Sequence, residues 1–365
     1  MSARELPKDA VQVARVEALV LRSPIDTPVR TSFGVMNERP AVFVRVTDAD
    51  GVQGWGEAWC NFPACGAEHR ARLVETVMAP LVEGRTFAHP RAVYEKLTQG
   101  TAVLAIQSGE FGPMAQAIAG IDLAVWDLCA RRAKQPLWRY LGGASGEVDV
   151  YASGVNPDDP ERIVGERFDD GYRAFKLKVG FSIERDFGNL ARVRAQVGSR
   201  LPLMVDANQA WSFDEARIIA PRLEQFHLAW LEEPLRADRP WAEWQELAKH
   251  SPVPLAAGEN VAGGDGFDAA IASKALRFLQ PDLAKWGGIS GCWPVVQRAQ
   301  AAGLQYLPHY LGGGIGLLAS AHMLAAVGAG GMLEVDANPN PLRTEVAPVF
   351  VRPQAGRCTL GDAPG

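Results

Sequence analysis

The chain has 365 residues, 47% hydrophobic and 22% charged, with a formal net charge of −5. That is a globular composition with material for one large or two ordinary cores, and it carries no basic footprint, so nucleic acid and anionic membranes are excluded as partners. The N-terminal MSARELPKDA has no signal-peptide core, and no run approaches the ~18 apolar residues of a membrane span. Five cysteines (Cys60, Cys65, Cys129, Cys292, Cys358), an odd number without CxxC spacing, predict a reducing cytoplasm rather than a disulfide framework or a structural zinc.

In chain order, residues 12–59 predict a meander. VQVARVEALV and AVFVRV alternate as strands, and DADG turns the second into VQGWGEA. A polar loop, 30–39, separates the first two. Helical spacing follows at about 67–82 and 89–99. A third helix, 115–133, carries Ile118, Ile121, Val125 and Leu128 on one face, and LGG at 141–143 closes the module. An α+β domain over 1–143 is expected.

The rhythm then becomes regular. Apolar runs fall at 148–154, 174–180, 201–208, 228–234, 254–260, 276–282, 304–310 and 331–337, with amphipathic stretches between them. Eight runs alternating with helices predict a (β/α) barrel over 144–340. The strand-like VAPVFV after the last run leaves no eighth helix, and the tail 341–365 is expected to return to the first domain.

Polar residues close these runs in order: Lys176 and Lys178, Asp206 with Asn208, Glu232, Glu259, Asp282, His309 and Glu334. From Lys178 the steps are 28, 26, 27, 23, 27 and 25 residues, so one charged group ends each successive strand and all converge where barrels keep their active sites. Asp206, Glu232 and Glu259 are hard oxygen ligands whose mutual repulsion calls for a cation, and oxygen-only ligation suits Mg²⁺. Glu233 adjoins Glu232, and in a regular strand only one of the two can face the axis. His309 follows Asp282 by one strand, which would set its tautomer. In AFKLKVG, Lys176 and Lys178 share one strand face. Each charge disfavours the other, which predicts a lowered pKa and a usable base, with His309 opposite as second base or acid. Lys285 is a rival catalytic lysine, or orients solvent or the metal ligands. GGG at 312–314 would either cradle a phosphate or make a tight turn.

The ordered set IDLAVWDLCARRAKQPLWRYLGG, KLK, VDAN, EEP, GEN, PDLAKWGG, His309 and MLE resembles the enolase superfamily, in its mandelate racemase/muconate lactonizing enzyme group, over nearly the whole chain. The resemblance implies an α/β fold: a modified (β/α)7β TIM-like barrel under an N-terminal α+β capping domain. It implies Mg²⁺ on Asp206, Glu232 and Glu259, Lys178 as one base with Lys176 tuning it or touching the substrate carboxylate, His309 with Asp282 as the opposing dyad, and Glu334 on the enediolate oxygen. Asn208 would contact the substrate or metal-bound groups, and cap loops 30–39 and 56–66 would close over the substrate.

The expected substrate is a small carboxylate and the expected assembly a homo-oligomer. Arg30, Thr31, Ser32, Asn37, Arg39, Asn340 and Arg343 offer polar lining that suits a polyhydroxy acid, whereas Trp59, Phe62 and Trp286 pull toward an aromatic one. Substrate contacts are expected from Asn208, Arg30, Ser32, Lys285 and Trp59. Dehydration of an acid sugar to a 2-keto acid is favoured, with racemisation or epimerisation as the alternative. A Schiff-base aldolase would be metal-independent, and a non-catalytic binding protein would not need the intact constellation.

Overall fold

The computed structural model of the chain describes residues 4–31, 34–328 and 330–365. The first part holds β1 (Val11–Val13), β2 (Arg15–Arg30), β3 (Val35–Thr47) and β4 (Gln53–Ala58), then α1 (Gly66–Leu73), α2 (Ala79–Val82), β5 (Arg85–Phe87), α3 (Pro90–Ser108), α4 (Phe111–Arg132) and α5 (Leu137–Tyr140). The β2–β3–β4 meander is antiparallel, and its apolar face packs on α4. Two glycines set how closely. A Cβ on Gly54 would stand 2.1 Å from the Ala124 carbonyl oxygen, and one on Gly56 would stand 2.1 Å from that of Gly120. The sheet therefore lies directly on the helix backbone.

The second part alternates strand and helix: β6 (Glu147–Val155), α6 (Pro160–Asp169), β7 (Phe175–Lys178), α7 (Ile183–Val197), β8 (Leu203–Asp206), α8 (Phe213–Arg222), β9 (Leu231–Glu232), α9 (Trp241–His250), β10 (Leu255–Ala257) and α10 (Gly264–Ser273). It continues through β11 (Phe278–Leu279), α11 (Gly288–Ala301), β12 (Gln305–Tyr306), α12 (Gly314–Val327) and β13 (Met332–Asp336). The eight strands run parallel in the order β12-β11-β10-β9-β8-β7-β6-β13. Only the four-residue α13 (Pro341–Thr344) follows β13, so the barrel is of the (β/α)7β kind. The tail divides. Its strand β14 (Arg357–Thr359) adds antiparallel to β6, while Gly365 bonds to Gln135 and Leu137 at the end of the first part. Local signals start the helices: Ser182 caps α7, and Ser212 with Glu215 makes a reciprocal capping box on α8.

Strand alternation places the site. Tyr151, Ala174, Met204, Trp230, Ala256 and Leu307 form one layer inside the curled sheet, with Met332 packed against it. Two residues further along each strand, on the same face, stand Ser153, Lys176, Asp206, Glu232, Gly258, His309 and Glu334. At β10 the alternation breaks. Gly258 has φ +154°, its Cβ would meet the Gln280 backbone at 2.5 Å, and the carboxylate comes from Glu259 instead.

The five cysteines are unpaired and four are buried. Among the described residues no helix is long and apolar enough to cross a membrane.

His322 of α12 is buried and accepts the Trp138 backbone N–H on Nδ1 at 3.0 Å, and burial holds its pKa down to about 4. An imidazole in the unfolded chain takes its proton near 6.5. The group's contribution is therefore intact above pH 6.5 and lost as pH falls toward about 4, with a full size of ~3 kcal/mol. Glu57 and Asp122, which burial pushes up to about 7, act in the opposite sense over that range. The histidine contribution is thus expected as the difference in acid sensitivity between the native chain and His322→Gln, measured by urea unfolding from pH 7 to 4. Parallel pH profiles for the two chains would refute it.

Candidate active site

The ends of the parallel strands gather a buried cluster of charges. Lys176 Nζ lies 2.5 Å from Glu232 Oε1 and 2.7 Å from Glu334 Oε1, and it is wholly enclosed. Lys178 Nζ lies 2.6 Å from Asp206 Oδ2. His309 lies between two carboxylates, with Nδ1 2.7 Å from Asp282 and Nε2 2.5 Å from Glu259. Asp282 also accepts the backbone N–H groups of Ala284 and Lys285, which fixes its orientation beneath the imidazole.

The lysine pair behaves differently from the sequence expectation. Burial and the neighbouring Lys176 both push the Lys178 pKa down, yet Asp206 outweighs them and the net direction is upward. Lys176 is held well above the ordinary lysine value against the cost of burial, because Glu232 and Glu334 both face it. An adjacent ammonium lowers a lysine pKa, but a closer carboxylate outweighs it, and here each ammonium has one. His309 is likewise raised well above an ordinary imidazole: burial opposes the charge, and Glu259 and Glu334 favour it.

Three presumed metal ligands are thus matched with three cations: Asp206 with Lys178, Glu232 with Lys176, and Glu259 with His309. As arranged, no three His, Cys, Asp or Glu side chains among the described residues are grouped as a cation cage. The donor set nevertheless suits a divalent ion. Six carboxylates (Asp206, Glu232, Glu233, Glu259, Asp282, Glu334) face four cations (Lys176, Lys178, His309, Lys285), which leaves two negative charges when all are ionised. Buried excess charge of that size is stabilised by a divalent ion with oxygen ligands.

The EEP pair also departs from simple alternation. Glu232 points inward, and its other oxygen accepts from Trp230 Nε1 at 3.0 Å and Gln280 Nε2 at 2.6 Å. Glu233 has φ +40°, so the strand ends there and its carboxylate is not forced outward. It is buried and accepts Asn260 Nδ2 at 2.9 and 3.0 Å. Burial and the repulsion of Glu259 and Asp206 hold it well above the carboxylate range. Both glutamates therefore belong to the cluster. Glu334 is saturated by Ser153, Lys176 and the Tyr310 N–H, and its pKa is lowered despite burial.

Several expected substrate contacts are engaged elsewhere. Asn208, with φ +43°, bonds Asp206 through both its backbone and side-chain nitrogens. Arg30 is exposed and faces Asp158 at 3.3 Å, at a cavity of about 510 Å³ that contains none of the lysine or carboxylate cluster. Ser32 lies outside the described residues. Arg39 and Arg343 are both buried on Asp336, Arg39 on its carboxylate and Arg343 on its backbone oxygen, and Asn340 bonds the Gly312 carbonyl, so these three brace the structure. Trp286 packs on Phe267. Lys285 and Trp59 do stand at the cluster. The Lys285 ammonium lies 4.9 Å from the Trp59 ring centroid, 3.6 Å from Glu259, and donates to Asn260 at 2.8 Å.

In the glycine run at 312–314 the Gly313 N–H is taken by Glu57 from the cap at 2.6 Å, as is the Gly316 N–H just beyond the run at 2.9 Å, so the turn meets a carboxylate of the same chain. Sequence reasoning set Glu233 aside in favour of Glu232 and passed over Glu57, Gln280 and Ser153. Counting two residues on from the inner layer would have found Ser153 and Gln280. Glu57 forms its bonds across some 256 positions of chain, which local pattern does not register.

A parallel barrel whose strand ends converge lysines, a His–Asp dyad and carboxylates, beneath an α+β cap, defines an acid–base enzyme scaffold of the enolase type. The chain belongs to the mandelate racemase/muconate lactonizing enzyme group of the enolase superfamily. Residues 15–142 match the mandelate racemase/muconate lactonizing enzyme N-terminal domain, and residues 161–365 the enolase C-terminal domain-like family. The crystal structure of a mandelate racemase/muconate lactonizing enzyme from Bordetella bronchiseptica RB50 is 57% identical, with a TM-score of 0.93 over 98% of this chain and 96% of that one. D-Galactarolactone cycloisomerase from Agrobacterium fabrum is 29% identical across 97% of this chain and 95% of its own length. An L-talarate/galactarate dehydratase mutant, crystallised with Mg and L-glucarate, is 27% identical with a TM-score of 0.83 over 98% of this chain and 89% of that one.

Proposed function

We propose that the protein removes the proton α to the carboxylate of a sugar acid with the help of Mg²⁺, and that the net reaction is dehydration of a hydroxy mono- or diacid to a 2-keto acid. The observation that carries this is the placement of two proton-transfer groups, Lys178 on the second strand of the barrel and His309 after the seventh, on either side of one buried carboxylate cluster. The relatives' names, a galactarolactone cycloisomerase and a talarate/galactarate dehydratase, support the sugar-acid class.

Asp206, Glu232 and Glu259 would hold the cation. When bound it neutralises charge building on the substrate carboxylate. Lys178 Nζ takes the α proton in its neutral form, which a cation on Asp206 would favour by drawing off the carboxylate that otherwise holds the ammonium charged. Lys176, fixed by Glu232 and Glu334, contributes a stationary positive charge where the enediolate develops. Asp282 holds His309 Nδ1, leaving Nε2 to protonate the departing β-hydroxyl. The Cα–H and Cβ–O bonds break, water leaves, and the enol tautomerises to the 2-keto acid. Trp59 and Lys285 line the cap side. The second reading is racemisation or epimerisation, favoured by the same two-sided arrangement with proton return in place of elimination.

A screen of mono- and diacid sugars with Mg²⁺ in D₂O separates these readings. 2-Keto acid production supports dehydration. α-Deuterium incorporation with inversion and no keto acid supports the second reading. Neither product from any carboxylate sinks both. Turnover that resists EDTA and is trapped by borohydride would transfer the chain to Schiff-base chemistry.

A further inference from the structure

Two buried carboxylates outside the charged cluster, Glu57 of β4 and Asp122 of α4, join the cap to the barrel. They belong to one rigid plate, because the glycine contacts of Gly54 and Gly56 press β4 onto the α4 backbone. From that plate Glu57 accepts the Gly313 and Gly316 amides at the start of α12, and Asp122 accepts the Ser290 amide at 3.0 Å in the first turn of α11.

The receiving ends are shaped for these groups. Helices α7 and α8 cap themselves with Ser182 and Ser212, whereas α11 and α12 have Gly287 and Gly313 at their N-caps and, like α6, α9 and α10, no capping side chain of their own. Their first amides need an acceptor from elsewhere. A Cβ on Gly313 would lie 2.7 Å from Glu57 Oε1, and one on Gly288 would lie 2.3 Å from Asp122 Oδ2. Glycine is required where the carboxylates enter. Two further bonds lie alongside: Trp59 N–H to the Ala284 carbonyl at 3.1 Å, and Asn61 Nδ2 to the Leu311 carbonyl. Every one of these contacts falls on the two segments that follow Asp282 and His309.

We propose that Glu57 and Asp122 are positioning residues, a two-carboxylate clamp through which the cap sets the Asp282 and His309 segments and so aligns one side of the site. The clamp acts on the His309 side alone, because among the described residues the hydrogen bonds that both carboxylates make to the barrel go to the segments after β11 and β12 and none goes to β7 or β8, which end in Lys178 and Asp206. This inference rests on His309 serving in proton transfer, as the function proposed above requires.

The test compares Glu57→Gln, Glu57→Leu and Asp122→Asn with the native chain by thermal unfolding, amide hydrogen exchange and α-proton exchange in D₂O. Glu57→Gln keeps one acceptor oxygen and loses the other, so amides of residues 309–316 are expected to exchange about tenfold faster, the worth of one lost hydrogen bond, while those of β7 to β9 are unchanged. Proton transfer on the His309 face is expected to lose at least about tenfold in kcat with KM nearly constant. Exchange on the Lys178 face persists. Should Glu57→Leu fail to fold, Glu57→Gln and Asp122→Asn carry the same comparison. Equal losses on both faces, in step with the folded fraction, would reduce the pair to structural braces and overturn the proposal. If the native chain exchanges no α proton from any acid, the functional reading fails separately, and unchanged protection at 309–316 in Glu57→Gln and at 284–291 in Asp122→Asn then overturns the clamp.

Discussion

Lys178→Met is expected to lower turnover of any sugar acid the protein accepts by about 10³-fold, within the range that a positioned general base contributes. The substitution also removes the partner of Asp206, a carboxylate 2% exposed, so a loss of stability accompanies it. The two effects separate by saturating the chain with Mg²⁺. A cation on Asp206 restores the buried charge balance and with it the melting temperature, but supplies no base. The prediction is therefore a folded, metal-stabilised and inactive variant. His309→Asn, by contrast, is expected to stop elimination while Lys178 still exchanges the α proton with solvent. If Lys178→Met retains α-proton exchange at the native rate on both substrate configurations, Lys178 is not the base.

Much of this arrangement was legible because barrels impose a repeating register. Once eight apolar runs are counted, a charged residue closing each run must lie on the same rim, and the structure gathers Lys176, Asp206, Glu232, His309 and Glu334 in one layer, with Lys178 two residues further along β7. What the register could not convey was the balance among groups brought together. Two lysines at i and i+2 suggest mutual depression of pKa. The deciding partners, Asp206, Glu232 and Glu334, arrive from strands 28 to 158 residues away and reverse the direction.

Departures from ideal geometry were hidden too. Alternation predicts that Glu233 turns away from the axis, but φ +40° ends the strand at that residue. The polar residues assigned to the substrate on composition, Arg39, Asn340 and Arg343, are consumed by Asp336 and Gly312. Buried arginine is expensive without a partner, so enclosure beside an aspartate favours bracing over recognition. The glycine run illustrates the same limit: the Gly313 amide does meet a carboxyl group, and it is that of Glu57 of the same chain.

The largest effect on stability is expected at Lys176. Its ammonium is wholly buried, paired with Glu232 at 2.5 Å and Glu334 at 2.7 Å, and lies 5.4 Å from the ring centroid of Tyr151. Lys176→Met preserves the volume and leaves two carboxylates facing each other in the interior. Removing one partner of a buried ion pair costs about 3–5 kcal/mol, and here two acceptors lose the same donor. Glu334 retains Ser153 and the Tyr310 amide, and Glu232 retains Trp230 and Gln280, so the expected cost stays near that range instead of doubling. A double-mutant cycle with Glu334→Gln tests the cause, because neutralising one carboxylate should return part of the loss and give a coupling of about 1–3 kcal/mol. Lys285→Met supplies the comparison at the partly open rim, where losing an ion pair is expected to cost at most about 1 kcal/mol. Equal stability of Lys176→Met and the native chain in urea unfolding would mean that the carboxylates discharge their repulsion by protonation, and Lys176 would then serve the substrate rather than the fold.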